Sequence, residues 1–231
     1  MYGFCRPDYK AVIAEFDVLL EHSNALDQAL AGRTPPDQNL SCVGEIYVKL
    51  LAHCVTLRSI APDAERKREK ELWDLGSLSA IARCVIETYD ALSYIAARNL
   101  QDQEKAFRVL LWELHDKNRR MSMLQFIGTY DDRFLSMSAA EQQLHEKVLV
   151  HPYFAHISKG VQKKIVNRNP PESYLSIRQL CAASGVNYDY YTAATMQLSQ
   201  YVHTHPFAVH QLFSFRGGSN DALELMGLPI H

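Results

Sequence analysis

Two ionisable side chains, Arg83 and Glu87, lie four residues apart in a stretch that is otherwise nearly free of charge. On a helix that spacing puts them on one face, and Asp90 and Tyr94 continue it. If the helix is central, these charges are at least partly buried and need partners, because an unpaired buried charge is strongly destabilising. They then form either a structural ion pair that fixes helix packing or a polar site where facing helices meet a ligand. Near the other end of the chain Ser199 and His203 are also four apart, and Tyr191, Thr192 and Thr195 precede them. Between Gln179 and Phe215 the one formally charged residue is Asp189, so His203, His205 and His210 sit among apolar and neutral polar residues. A half-buried histidine there titrates near neutrality and can serve as general acid or base, or simply as a structural donor. As a metal set the three are poor: Pro206 interrupts them, no pair is four apart, and no carboxylate stands among them. No metal and no cofactor is expected.

A third pair is Arg108 and His115, seven residues apart and so on one helix face. An arginine that stabilises a developing phosphorane charge and a histidine that moves a proton are the parts RNA cleavage needs. That chemistry requires both side chains exposed toward a cleft or a partner chain. The nearby Arg119 and Arg120 suit an RNA face or a solvated one equally.

The elements that must hold these residues read as helical almost throughout. Apolar residues recur at spacings of three and four over residues 9–30, 42–60 and 75–97, and residues 104–126 and 139–154 are rich in good helix formers. Residues 187–203 form the helix of the late tyrosines, serine and histidine. Glycine and proline gather between these runs, at 32–39, 61–62, 167–173 and 216–220. The reading is an all-α protein, a bundle of about seven to ten helices in one domain, 1–231. Pro170-Pro171 marks a joint, with residues 172–231 packing on the bundle as a C-terminal subdomain. The charge-poor helix 75–97 belongs at the centre, with neighbours on several sides.

Composition sets the outer limits. The chain has 231 residues, 47% hydrophobic and 22% charged, with a formal net charge of -2. Those values exclude disorder and a disulfide scaffold, and they argue against wholesale adhesion to nucleic acid or membrane. Cys5, Cys42, Cys54, Cys84 and Cys181 form no C-x-x-C, which suits a reducing cytoplasm. No apolar leader and no uninterrupted apolar run of about 18 residues is visible, so a soluble cytoplasmic protein without a membrane span is expected. Phosphate-binding glycine loops, H-E-x-x-H and G-x-S-x-G are all missing from the sequence. Residues 176–199 have the spacing of a helix-turn-helix, but the second helix carries Asp189 and no lysine or arginine. DNA binding is therefore disfavoured, and a plain helical corner is the simpler reading.

Two resemblances follow from these residues. The R-x6-H of Arg108 and His115 resembles the motif of the HEPN family of helical ribonucleases, although Val109 stands where a polar residue usually follows the arginine. That resemblance implies a metal-independent endoribonuclease acting on RNA, typically as a dimer. The segment Ser79-Ala-Ile-Ala-Arg83-Cys-Val-Ile-Glu87, together with Tyr191 and Leu198-Ser-Gln-Tyr-Val-His203, resembles a family of uncharacterised bacterial helical proteins. That family carries a mid-chain R-x-x-x-E helix and a late L-S-x-Y-x-H helix. The resemblance implies that Arg83, Glu87, Tyr191, Ser199 and His203 lie near one another between two packed helices. The first functional reading is accordingly a binding or interaction protein with that polar cluster, its partner a small molecule or a protein. The alternatives are the ribonuclease and a purely structural bundle. Homodimerisation through apolar helices is compatible with all three.

Overall fold

The computed structural model describes residues 8–62, 74–203 and 205–211. Among them the chain is all-α, with nine α-helices and one short 3-10 segment. The helices are α1 (Tyr9–Leu30), α2 (Gln38–Ile60), α3 (Leu75–Ile95), α4 (Asp102–Phe126), α5 (Asp132–Val150), α6 (Lys159–Val166), α7 (Ile177–Ser184), α8 (Tyr188–Val202) and α9 (Pro206–Gln211). The 3-10 turn Pro152–His156 lies between α5 and α6.

Local chemistry sets the helix ends. The Asp8 carboxylate accepts from the Lys10 N–H, and the Asp131 carboxylate accepts from the N–H groups of Arg133 and Phe134. Asp131 therefore starts α5 earlier than apolar spacing suggests, by satisfying donors that would otherwise be orphaned. The same helix stops at Val150, because Pro152 cannot continue it, and the His151 ring takes up the Tyr153 N–H. Gly185, at φ +76°, ends the α7 segment, and the Asn187 side chain caps α8 by accepting from Tyr190 N–H.

The chain divides into two compact units. Among the described residues the first comprises 8–35, 44–62, 74–91, 185–203 and 205–211, and the second 36–43 and 92–184. In this part of the chain the division falls after Ser184, and Pro170-Pro171 lies inside the second unit. The first unit is built on Tyr9 and Val12 of α1, Leu57 of α2, Leu75, Leu78 and Ala82 of α3, Leu198 and Tyr201 of α8, and Ala208 of α9. The α1–α2 pair is also tied by Arg58 to Asp17 at 2.6 Å, and by the Tyr47 hydroxyl, which donates to the Ser23 carbonyl at 2.9 Å. The second unit is built on Phe107, Leu111 and Leu114 of α4, with Val148 of α5, Ile157 and Ile165.

One helix departs from expectation. By length and composition α2 could cross a membrane: its best 18-residue window has mean hydropathy 1.4, and only 22% of that window is buried. Single charges such as Glu45 and Lys49 break its apolar run, which is why a search for uninterrupted runs passes over it. Val48 and Val55 on its outer side are about half exposed.

A backbone device closes α6. Arg168 takes φ +58°, its N–H bonds to the Ile165 carbonyl, and the Asn169 N–H reaches back to Lys164. This is a Schellman closure with arginine where glycine is usual, a conformation that costs a side-chain-bearing residue about 1 kcal/mol. What holds it is Glu141. That carboxylate is buried, and its Oε2 accepts from Arg168 Nη1 at 2.5 Å, while Gln142 takes Nη2. Relieving the strain with Arg168→Gly leaves a buried carboxylate unpaired. Allowing for the solvent exposure of the arginine, a net loss of about 2 kcal/mol is expected in urea unfolding. In a Glu141→Gln background the same change should be neutral or stabilising.

Candidate functional site

The sequence-predicted cluster lies in the first unit, on the facing sides of α3 and α8. On α3, Arg83, Glu87 and Asp90 follow one another at i, i+4 and i+7 and so form a strip. Arg83 Nη1 donates to Ser199 Oγ at 2.8 Å and to the Thr195 carbonyl at 3.2 Å. Its Nη2 donates to Glu87 Oε1 at 2.7 Å. Ser199 passes its own proton to the Thr195 carbonyl at 2.8 Å. One turn along, the Tyr191 hydroxyl donates to Asp90 Oδ2 at 2.5 Å. Arg83, Glu87, Tyr191 and Ser199 are thus joined in a single polar seam, to which Asp90 adds the carboxylate that Tyr191 needs.

One expectation changes. His203 closes α8 through its backbone N–H, bonded to the Ser199 carbonyl, but its ring is exposed and meets the His205 ring edge-on at 5.9 Å. It stands one turn beyond the seam because the helix ends there. The Arg83–Glu87 pair is partly buried, with Arg83 29% and Glu87 61% exposed. Breaking a fully buried pair by removing one partner costs roughly 3 kcal/mol, whereas a half-solvated pair contributes about 0–1 kcal/mol. Among the described residues no three histidine, cysteine or carboxylate side chains converge as metal ligands.

The second unit holds a denser cluster. Arg108 is 5% exposed, and every nitrogen of its guanidinium is engaged. Nη1 donates to the Tyr94 carbonyl at 2.6 Å and Nη2 to Glu104 Oε1 at 2.6 Å. Nε is shared between Glu104 Oε1 at 3.1 Å and the Tyr174 hydroxyl at 3.2 Å. Tyr174 in turn donates to Glu104 at 2.5 Å, with the Tyr153 hydroxyl 3.3 Å away. The guanidinium also lies over the Tyr94 and Tyr174 rings, 4.8 and 5.4 Å from their centroids. Tyr94, which spacing alone places on the Arg83 face, belongs here instead and is buried.

These contacts set the charge states. Burial raises the Glu104 carboxyl, but hydrogen bonds from Tyr174, Arg108 and Tyr153 outweigh it and hold the group below the usual carboxylate range. Burial lowers Arg108, and its bond to Glu104 more than restores it. Burial pushes the Tyr174 phenol far up, and its bond to the Glu104 carboxylate pushes it further. Neutral tyrosine, ionised glutamate and charged arginine therefore coexist, each in the form its neighbours require.

His115 lies on the same helix as Arg108, half-buried, with Nδ1 donating to the Pro170 carbonyl at 2.8 Å. Arg108 does not meet the requirement of a phosphate-binding arginine, since it is buried and each of its nitrogens is already bonded within the protein.

No family model matches the chain, and neither does any curated protein or solved structure. The two resemblances therefore rest on their short motifs alone.

The depressed Glu104 carboxyl has a pH consequence. A carboxyl whose folded pKa lies below its unfolded value adds stability above the unfolded value, near 4.3, and that stability is lost as pH falls through the folded one. Glu104→Gln should flatten the acid side of the stability profile. Unfolding followed in urea from neutral pH down to pH ~3 reads this out, and an unchanged slope would contradict it.

Proposed function

We propose that this chain is a helical binding protein that recognises a protein partner along the α3–α8 seam. The observation that carries this reading is the half-open ion pair. Arg83 is anchored to α8 by two hydrogen bonds, while the Glu87 it orients remains 61% exposed. A pair that served only to lock helices would gain most by full burial or by apolar replacement. Here the anchored arginine holds a carboxylate at the surface, with Asp90 one turn on, so the strip presents acidic groups at helical spacing. Tyr89 and Tyr190, both exposed, stand on the same two helices. They lie off the face of the ion pair and add exposed aromatic surface to the same two helices. A long strip suits a basic helix or extended segment better than a compact metabolite.

The ribonuclease alternative draws no support from Arg108, because the arginine is buried and all three of its nitrogens are bonded inside the protein. The test is the native mass spectrum of protein purified from its own host, compared with the denatured spectrum. A retained partner, lost on denaturation and absent from Glu87→Lys, supports the reading. Glu87 is exposed enough for that variant to keep its fold. A bare chain mass for both proteins, or a partner equally retained by Glu87→Lys, would overturn it.

A further inference from the structure

The corner between α4 and α5 carries apolar side chains that the second unit leaves uncovered. Phe126 is 93% exposed, and Met123, Ile127, Tyr130 and Leu135 are each more than half exposed. They are contiguous. Met123 and Phe126 share one face of α4, Ile127 closes that helix, Gly128 turns the chain at φ +71°, and Tyr130 packs edge-on against Phe134 at 5.1 Å. Glycine serves here because the turn needs the left-handed conformation. A lone exposed leucine is ordinary, but five large apolar groups at one corner mark an interaction surface.

We propose that this corner docks on the same corner of a second copy of the chain. The charges around it select that occupant. Residues 117–130 contain Lys117, Arg119 and Arg120 and no carboxylate, and Asp131 and Asp132 follow at once. Arg120 pairs with Asp116 of its own helix, whereas Arg119 and Asp132 have no side-chain partner among the described residues. Arg119 lies four and seven residues before Met123 and Phe126, on their face of α4. Asp132 lies three residues before Leu135, on its face of α5. Each copy thus offers a cation on one side of the apolar patch and a carboxylate on the other. A two-fold contact through Phe126 brings each Arg119 toward the other copy's Asp132, which is the self-complementarity an isologous interface requires.

The area sets the strength. At roughly 100 Å² of apolar surface per side chain of this size, the patch offers about 400 Å². That is about half of the ~800 Å² per partner in a standard interface, so the dimer is transient and concentration-dependent. It forms whether or not the α3–α8 seam binds a partner.

Analytical ultracentrifugation of the full chain, from low to high micromolar concentration, tests the idea. A reversible monomer–dimer equilibrium is expected, weakened at least about tenfold by Phe126→Asp, as for an anchor residue at the centre of a contact. Arg119→Glu and Asp132→Lys should each weaken it, and the double charge swap should restore it. Circular dichroism melting confirms that these surface variants keep the fold. A chain monomeric at every concentration, a dimer indifferent to Phe126→Asp, or a charge swap that restores nothing would overturn the proposal. So would Phe126-dependent flotation with phosphatidylcholine–phosphatidylserine vesicles in the absence of self-association, which would make the corner a lipid-binding tip.

Discussion

A guanidinium cannot be taken out of water unless every donor finds an acceptor and its charge finds a counter-charge. In the second unit that requirement decides what a large part of the structure does. Arg108 draws Glu104 from one turn back on α4, the Tyr94 carbonyl from the end of α3, and Tyr174 from far downstream. The aromatic rings gathered around it, Tyr94, Phe107, Tyr153 and Tyr174, pack on one another at centroid distances of 5.5 to 6.0 Å. The result resembles an aromatic cage, but its cation is the protein's own arginine. Glu104 is kept ionised because Tyr174 and Arg108 donate to it, and Tyr174 is kept neutral because Glu104 accepts from it. Each group fixes the state of the next, so the cluster acts as a unit.

The contrast with Arg83 is one of exposure. Both arginines pair with a glutamate four residues away on the same helix, yet Arg108 is sealed and Arg83 is not. A sealed pair serves packing. An open pair tied to a neighbouring helix spends little on stability and leaves a charged edge available to something else. The functional reading of the α3–α8 seam rests on that difference.

Much of this was legible in the sequence, and the parts that were not have a common cause. Apolar spacing places α1 and α3 to within a few residues, and a run of good helix formers does the same for α4. Spacing places the start of α5 poorly, because that start is set by Asp131 capping and not by an apolar stripe. The Arg83–Glu87 pair is visible from spacing, and its meeting with Ser199 is implied by the resemblance to the helical family and not by spacing. Whether the pair is buried is not visible, since spacing does not say which face a helix turns to solvent. The R-x6-H pair shows the same limit. Arg108 and His115 share a face, as predicted, but what that face meets depends on Tyr174 and Pro170, more than fifty residues away in sequence. Periodicity reports a helix's own symmetry, and partners at long range come only from the fold.

The central claim is that Arg108 locks the second unit and does no chemistry on a phosphate. A double-mutant cycle in urea unfolding tests it most directly, with Arg108→Met, Glu104→Leu and the pair together, and single-stranded RNA cleavage measured on the same proteins. The account predicts that Arg108→Met alone costs about 3 kcal/mol, that the double variant costs less than the sum of the singles, and that no RNA-cleaving activity is lost at any step. An Arg108→Met protein as stable as the parent, but stripped of an RNA-cleaving activity the parent possesses, would contradict it.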